Sequence, residues 1–160
     1  MKKNPLSESA ASALYFEDFE IGQRLETEHF AIDKKRALAF AHEYDPQYYH
    51  VDEEKAKDGP YGRLIVSGWQ TAAVTMKLKT TSKLVEIAGG LLGLGVESLK
   101  WPRPVYPDDE LHAVITITDK RPSNSKPTHG IVKYKVETLN QNDELVMEMQ
   151  TAVWVPRRST

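Results

Sequence analysis

Apolar residues recur at helical intervals in the first half of the chain and at alternate positions in the second half. Residues Lys34–Tyr44 carry apolar side chains three and four positions apart, and Asp33 before them is a suitable N-cap. Ser67 is a second candidate N-cap. The apolar stripe behind it predicts a long helix over Gly68–Ala88, which Gly89 would end.

Strand patterns predominate after residue 90, where four consecutive segments alternate apolar and polar residues between short polar turns. An earlier segment, Gln23–Ile32, shows mixed alternation and predicts a first strand. Consecutive strands after one long apolar helix favour an antiparallel sheet packed on that helix, so the predicted class is α+β. The four segments are Leu92–Trp101, Leu111–Thr118, Ile131–Leu139 and Leu145–Val155.

Length and composition favour one folded domain. A chain of 160 residues buries roughly 70% of its unfolded surface and needs no disulfide or metal to hold it together. We expect a single domain over residues 14–157 and a frayed polar tail over residues 1–13. The absence of cysteine excludes thiol nucleophiles, thiolate zinc sites and disulfides, and it suits a reducing cytosol.

Charge and hydropathy argue against a nucleic-acid partner and against a membrane-spanning segment. The 21 basic and 23 acidic residues give a net charge of −2, with no basic block longer than two residues, which argues against a nucleic-acid partner. No stretch approaches the roughly 20 apolar residues that span a membrane. No apolar region follows the two lysines at the start, so we expect a cytoplasmic protein without a secretory signal.

The richest candidate chemistry lies between residues 44 and 69. Asp45 and His50 are five residues apart, and Pro46 keeps the intervening segment from continuing as helix. Asp52 can cap a short helical turn through Lys57. A carboxylate beside an imidazole can take a proton from water and return one to a substrate, so this pair is a candidate acid–base pair.

The start of the predicted long helix adds a second candidate group. The backbone N–H groups at a helix N-terminus carry partial positive charge, which suits an oxygen that becomes negative during a reaction. Gly68 has no side chain to block the approach of such an oxygen. Ser67 as a plain helix cap and Gly68 as a residue for tight packing explain the same pattern, and both interpretations can hold together.

Other motifs are weaker. His29, His42, His112 and His129 show no metal-ligand spacing with one another, so we expect no metal site. The glycines between residues 89 and 95 follow a helix instead of a strand, and no third glycine completes a dinucleotide-binding fingerprint. A bent strand or a helix C-cap is the simpler interpretation of that segment.

The segment Asp45-Pro46-Gln47-Tyr48-Tyr49-His50, followed by Asp52 and by the run Gly62–Gly68, resembles the hydratase motif of MaoC-like dehydratases. These proteins are relatives of the R-specific enoyl-CoA hydratases. The resemblance covers nearly the whole chain, from about Tyr15 to Val155. It includes an opening at Tyr15–Phe19 with Ile21-Gly22, and a turn at Arg103–Val105 with Pro107–Asp109.

The resemblance implies a hot-dog fold, in which an antiparallel sheet wraps a long central helix, and a homodimer that acts on an acyl-CoA or acyl-carrier thioester. It implies that Asp45 and His50 hold a water as the acid–base pair, and that the Gly68 N–H takes the thioester oxygen. The implied reaction is hydration or dehydration at C2–C3 of the acyl group, as in fatty acid metabolism. It uses no metal or redox cofactor, with coenzyme A as part of the substrate.

Three departures from the family pattern concern the substrate. Gln47-Tyr48 stands where Asn-Pro is common, and Ser67 stands where many members have His. Met76, or the neighbouring Thr75, stands where some members place a serine near the thioester. We therefore expect an altered pocket next to the reacting carbons. Its candidate substrate-binding residues are Gln47, Tyr48, Ser67, Trp69 and Met76.

Two other functions of the same fold stay open. A hot-dog thioesterase would cleave the thioester with a carboxylate on the long helix, where the only acidic residue of the predicted range is Glu86. A non-catalytic acyl-thioester-binding module would need neither Asp45 nor His50. The presence of both residues favours a hydro-lyase.

Overall fold

The computed structural model describes residues 13–82 and 86–159. A 3-10 turn, Phe16–Asp18, opens the described chain. The strands are β1 (Arg24–Glu26), β2 (Phe30–Ala31), β3 (Leu92–Lys100), β4 (Glu110–Pro122), β5 (His129–Leu139) and β6 (Leu145–Pro156). The helices are α1 (Lys34–Tyr44), α2 (Tyr48–Val51), α3 (Glu53–Ala56) and α4 (Gly68–Thr80).

The strands form a six-stranded sheet in the order β1-β4-β5-β6-β3, with β2 also paired to β4. Every pairing between these strands is antiparallel. Helix α4 packs on this sheet, and its side chains Val74 and Leu78 are buried in one apolar cluster with residues of β4, β5 and β6. The α+β class is therefore confirmed. Among the described residues no helix is both long and apolar enough to span a membrane.

Helix starts follow the predicted caps. The Asp33 carboxylate accepts from the Arg36 N–H at 2.8 Å, and the Ser67 hydroxyl accepts from the Trp69 N–H at 3.3 Å. The Asp52 carboxylate accepts from the N–H groups of Glu54 and Lys55 at the start of α3. Side-chain caps of this kind satisfy backbone donors that have no partner inside the helix, so they fix where each helix begins.

Helix α4 is shorter than the predicted Gly68–Ala88, since it ends at Thr80. The hydroxyls of Thr80, Thr81 and Ser82 donate to carbonyls of the preceding turn, between Met76 and Lys79. Such bonds compete with helical backbone bonds, and threonine is a poor helix former. The part of the prediction at residues 83–85 lies outside the described residues, and Ile87 forms a parallel bridge with Leu14.

The predicted first strand, Gln23–Ile32, is divided into β1 and β2 around Thr27. The Thr27 hydroxyl accepts from the Ala113 N–H at 2.9 Å, so a side chain replaces the backbone acceptor at that point of the β4 pairing. The expected irregular loop after Pro46 contains a helical turn, α2. The predicted tail at residues 1–13 lies, except for Ala13, outside the described residues.

Candidate active site

Asp45 and His50 lie side by side where helix α1 ends. Asp45 is the C-cap of α1, and its N–H donates to the Ala41 carbonyl at 2.9 Å. The chain turns at Pro46, and the N–H of His50 donates to the Gln47 carbonyl at 2.8 Å within the turn of α2. This reversal brings Asp45 Oδ2 to 3.3 Å from His50 Nε2.

The Asp45 carboxylate is surrounded by hydrogen-bond donors. The Ser67 hydroxyl donates to Oδ2 at 2.7 Å, and the Gln47 amide donates to Oδ1 at 2.8 Å. The Tyr49 hydroxyl in turn donates to the Gln47 side-chain carbonyl. Burial opposes the charged form, but the bonds from Ser67 and Gln47 and the proximity of His50 outweigh it and hold the pKa of Asp45 below its usual value. Asp45 is therefore a carboxylate at neutral pH.

The tautomer of His50 follows from its other ring nitrogen. Nδ1 lies 2.8 Å from the carbonyl oxygen of Ile65, which can only accept, so Nδ1 carries the hydrogen of the neutral ring. Nε2 then presents its lone pair on the side of Asp45. The ring is buried, with 7% of the residue exposed, which holds it in this orientation.

Backbone hydrogen bonds hold the segment before α4 to two other parts of the chain, and so fix where the helix starts. The Ile65 N–H donates to the Tyr49 carbonyl at 3.0 Å, and the Val66 N–H donates to the Val105 carbonyl at 2.8 Å. Ser67 then caps the helix, and Gly68 begins it. Within residues 13–82 and 86–159 the Gly68 N–H has no acceptor, so this donor is available to a ligand.

Close packing by Trp101 explains why position 68 is glycine. A Cβ atom at Gly68 would lie 2.8 Å from Cε2 of the Trp101 indole, closer than such atoms approach. The indole Nε1 donates to the Gly68 carbonyl at 3.0 Å, and the Trp69 ring packs edge-on against the indole at 5.3 Å. The Trp101 indole therefore packs directly on the start of α4.

These groups line one cavity of about 310 Å³. Of the predicted site residues, the wall contains Asp45, Gln47, His50, Gly68 and Trp69.

The other predicted substrate-binding residues lie elsewhere. Ser67 is fully buried behind Asp45 and holds that carboxylate. Tyr48 lies outside the wall, with 44% of its surface exposed. Met76 lines a different cavity, two turns further along α4. Contact of these three residues with a substrate stays a prediction.

Several residues of the site had no signal in the sequence pattern. Tyr49, Ile65 and Trp101 act through contacts with Gln47, His50 and Gly68. Arg103 lines the same cavity and is exposed. The only hint was position, because Tyr49 and Ile65 fall inside the motif and Arg103 falls in the turn that matches the family.

Comparison with known proteins places the chain in a family. A family model described as "MaoC like domain" matches residues 17–140. The chain is 36% identical over 143 residues to the uncharacterized protein YdeM of Bacillus subtilis, with 88% of this chain and 98% of YdeM covered.

Solved structures agree with that match. A MaoC-like dehydratase from Rhodospirillum rubrum is 41% identical with a TM-score of 0.87, covering 92% of this chain and all of the other. An (R)-hydratase from A. caviae is 25% identical with a TM-score of 0.71, covering 88% of this chain and 99% of the other. These comparisons support a hydratase or dehydratase with the predicted hot-dog fold, and the chain belongs to the MaoC-like domain family.

Proposed function

We propose that this protein is a hydro-lyase that adds water to the C2–C3 double bond of an enoyl thioester, or removes it from the 3-hydroxyacyl thioester. The single observation that carries the proposal is the composition of one cavity wall. A charged Asp45, a His50 of fixed tautomer and the unpaired N–H of Gly68 all face the same space. Hydration of a conjugated thioester needs an acid–base pair and an oxyanion donor together.

The water binds between Asp45 and His50. Both the carboxylate and Nε2 of the neutral ring accept hydrogen bonds, so a water between them donates twice and keeps an oxygen lone pair for C3. As the C–O bond forms, the water gives one proton to the pair. Ser67 and Gln47 hold the carboxylate in place during this transfer.

The electrons of the double bond move onto the thioester oxygen as an enolate. The Gly68 N–H, at the positive end of α4, donates to this oxygen as it gains charge. The enolate then collapses and C2 takes a proton from the acid–base pair, which returns both groups to their starting state. Dehydration follows the same steps in reverse, and this chemistry asks for no metal or redox cofactor.

A residue at the rim of the cavity is the proposed binding group for the phosphates of the substrate. Arg103 is exposed there and supplies a cation for the phosphates of coenzyme A or of an acyl-carrier arm. The A. caviae neighbour is an (R)-hydratase involved in PHA biosynthesis, which supports hydration as the reaction class.

A homodimer is the proposed assembly. β3 is an edge strand, paired only with β6 among the described strands, and its side chains Leu92, Leu94 and Val96 are exposed. A long apolar edge exposes unpaired backbone groups that a second copy can pair with and cover. Sedimentation equilibrium tests this assembly, and a monomer at every concentration would contradict it.

A thioesterase on the same fold is less well supported. Helix α4 contains no Asp or Glu, and Glu86 lies beyond its end, so the helix offers no carboxylate to activate water. A non-catalytic binding module leaves the paired Asp45 and His50 without a purpose.

The deciding experiment follows the absorbance of the conjugated thioester during incubation with crotonyl-CoA and with branched and dicarboxylic enoyl-CoAs. We expect loss of absorbance with the wild-type protein and none above background with His50→Ala. His42→Ala is the matched control, because His42 is an exposed histidine on α1 outside the cavity. Release of free thiol without hydration would favour the thioesterase instead.

A further inference from the structure

Three separate parts of the chain bring two histidines and two carboxylates together away from the active-site cavity. Glu26 lies on β1, His29 lies between β1 and β2, His112 lies on β4, and Asp143 lies in the turn between β5 and β6. One potential ligand atom each from Glu26, His29 and His112 all lie within 4.8 Å of one another. None of these residues lines the active-site cavity.

His112 is poorly satisfied by the protein itself. Its residue is 3% exposed, and Nδ1 is buried without a hydrogen-bond partner among the described residues. Nε2 faces Glu26 Oε1 at 3.4 Å and Asp143 Oδ1 at 3.6 Å. Both distances exceed the 2.7–3.2 Å range of good N–H···O hydrogen bonds. If Nδ1 carries the ring hydrogen, the Nε2 lone pair faces two carboxylates, an arrangement that a cation between them would stabilise.

His29 has the second contact that metal-binding histidines usually make. Its Nδ1 lies 2.8 Å from Glu110 Oε1, so the carboxylate fixes the hydrogen on Nδ1 and leaves Nε2 free to bind a metal. The His29 and His112 rings are stacked at 4.6 Å. Within the described chain, no Lys or Arg pairs with Glu26, Glu110 or Asp143, so their negative charge is not neutralised by a basic side chain.

The spacing of these atoms suits a small divalent ion. Zinc bonds of about 2.1 Å in tetrahedral geometry place neighbouring ligand atoms about 3.4 Å apart. The distances from His112 Nε2 to the two carboxylates are 3.4 and 3.6 Å. His29, Glu26 and Asp143 have 50%, 62% and 84% of their side chains exposed, so these surface side chains can rotate to close the remaining gap. The His29 ring would tilt out of its stack with His112, because both ring planes must pass through the ion.

We propose that Glu26, His29, His112 and Asp143 form a binding site for a divalent transition-metal ion, with two nitrogen and two oxygen ligands that fit Zn²⁺. The ion would connect β1, the β1–β2 segment, β4 and the β5–β6 turn. Spacing along the sequence does not reveal this site, because its ligands come from positions 26 to 143 and only the sheet register brings them together.

The test titrates chelator-treated full-length protein with ZnCl₂ alone in isothermal titration calorimetry, and then with CoCl₂ to read coordination geometry from the visible spectrum. We expect saturable binding of one ion and a tetrahedral Co²⁺ spectrum. His29→Ala and Asp143→Asn should each weaken zinc binding by at least about tenfold. Glu110→Gln, which removes the partner of His29, should weaken it by about tenfold.

Two histidine variants separate this site from other zinc ligands. His42→Ala and His50→Ala should leave zinc affinity unchanged, because neither residue belongs to the cluster. Absence of saturable binding overturns the proposal, as does binding that survives both His29→Ala and Asp143→Asn. A loss of binding with His50→Ala alone would place the ion in the active-site cavity and overturn it too.

Discussion

The two ends of helix α4 hold polar groups in opposite ways. At its start, Asp45 has hydrogen bonds from Ser67 and Gln47 and lies beside His50. Eleven residues further on, about 16 Å along the axis, Lys79 is only 3% exposed and forms no ion pair with any described residue. Its ammonium lies 4.9 Å from the centre of the Tyr134 ring and lines a second cavity of about 300 Å³.

This difference has opposite effects on the charged forms of the two groups. Hydrogen bonds keep Asp45 ionised although it is partly buried. Burial lowers the pKa of Lys79 to about 8, because the aromatic face replaces only part of the hydration that the ammonium loses. The start of the helix therefore stabilises a charged side chain, while the charge at its far end costs stability.

Asp45→Asn is the sharpest test of the polar groups at the start of α4. The amide keeps the size of the side chain but cannot take a proton from water, so we expect kcat for enoyl-CoA hydration to fall by roughly 100- to 10,000-fold. Circular dichroism should show an intact fold. Activity within a few-fold of wild type would contradict the assigned role of the pair.

Gly68→Ala tests the packing around the proposed oxyanion donor. The new methyl group meets the Trp101 indole at 2.8 Å, so the helix start or the indole must move. We expect kcat to fall by about 10- to 100-fold, since small displacements of reacting groups have effects of this size.

A second variant makes the Gly68 prediction specific. Gly68→Ala combined with Trp101→Val leaves room for the methyl group and should recover part of the lost kcat relative to Gly68→Ala alone. If the double variant is no more active than Gly68→Ala, contact with the indole is not the cause of the loss.

Lys79→Met tests the far end of the helix. Removing a buried cation that pairs with no described carboxylate should raise the free energy of unfolding by about 2 kcal/mol at pH 7, measured by urea denaturation. Lys77→Met on the exposed face of the same helix is the matched control and should change it by less than about 0.5 kcal/mol.

The pH dependence of that difference has a definite sign. The pKa of Lys79 is about 8 in the folded protein and near its ordinary value of 10.5 when unfolded, so the unfolded chain binds more protons between these values. Wild-type stability therefore gains from this group as pH rises from 8 to 10.5. The advantage of Lys79→Met should be largest at or below pH 8 and should shrink toward pH 10.5. A constant advantage would contradict the low pKa.

Ser67→Ala gives the smallest expected change. Loss of the hydroxyl removes one bond that lowers the pKa of Asp45, so this pKa should rise. The acidic limb of the kcat profile should then move to higher pH, because Asp45 loses its charge at a higher pH than in wild type. An unchanged acidic limb would show that another group controls it.

The sequence predicted the structure best where that structure depends on residues close together along the chain. Helix α1 has the predicted bounds, Lys34–Tyr44, because its cap and apolar spacing are both local. The end of α4 was predicted wrongly, because the apolar stripe continued past hydroxyl side chains that end the helix at Thr80. The turn of α2 was missed because Pro46 suggested only an interruption.

In the candidate site, too, the sequence predicted some features and missed others. The sequence alone predicted Asp45, His50 and Gly68 as site residues, because their residue types and spacing match a chemical requirement as well as a family motif, and all three line one cavity. It assigned Ser67 to substrate binding, while its hydroxyl is buried against Asp45. Which neighbours complete a site depends on contacts that no local pattern records.

The candidate acid–base pair, the helix starts and the strand alternation were thus predicted by sequence, because they rest on residue chemistry and on periods of two to four residues. Tertiary structure decided the Trp101 contact with Gly68, the burial of Lys79 and the meeting of His29 with His112. The physical reason is the same in each case. These contacts join residues 33 to 83 positions apart, or a helix to a sheet, and only chain packing and strand register set such distances.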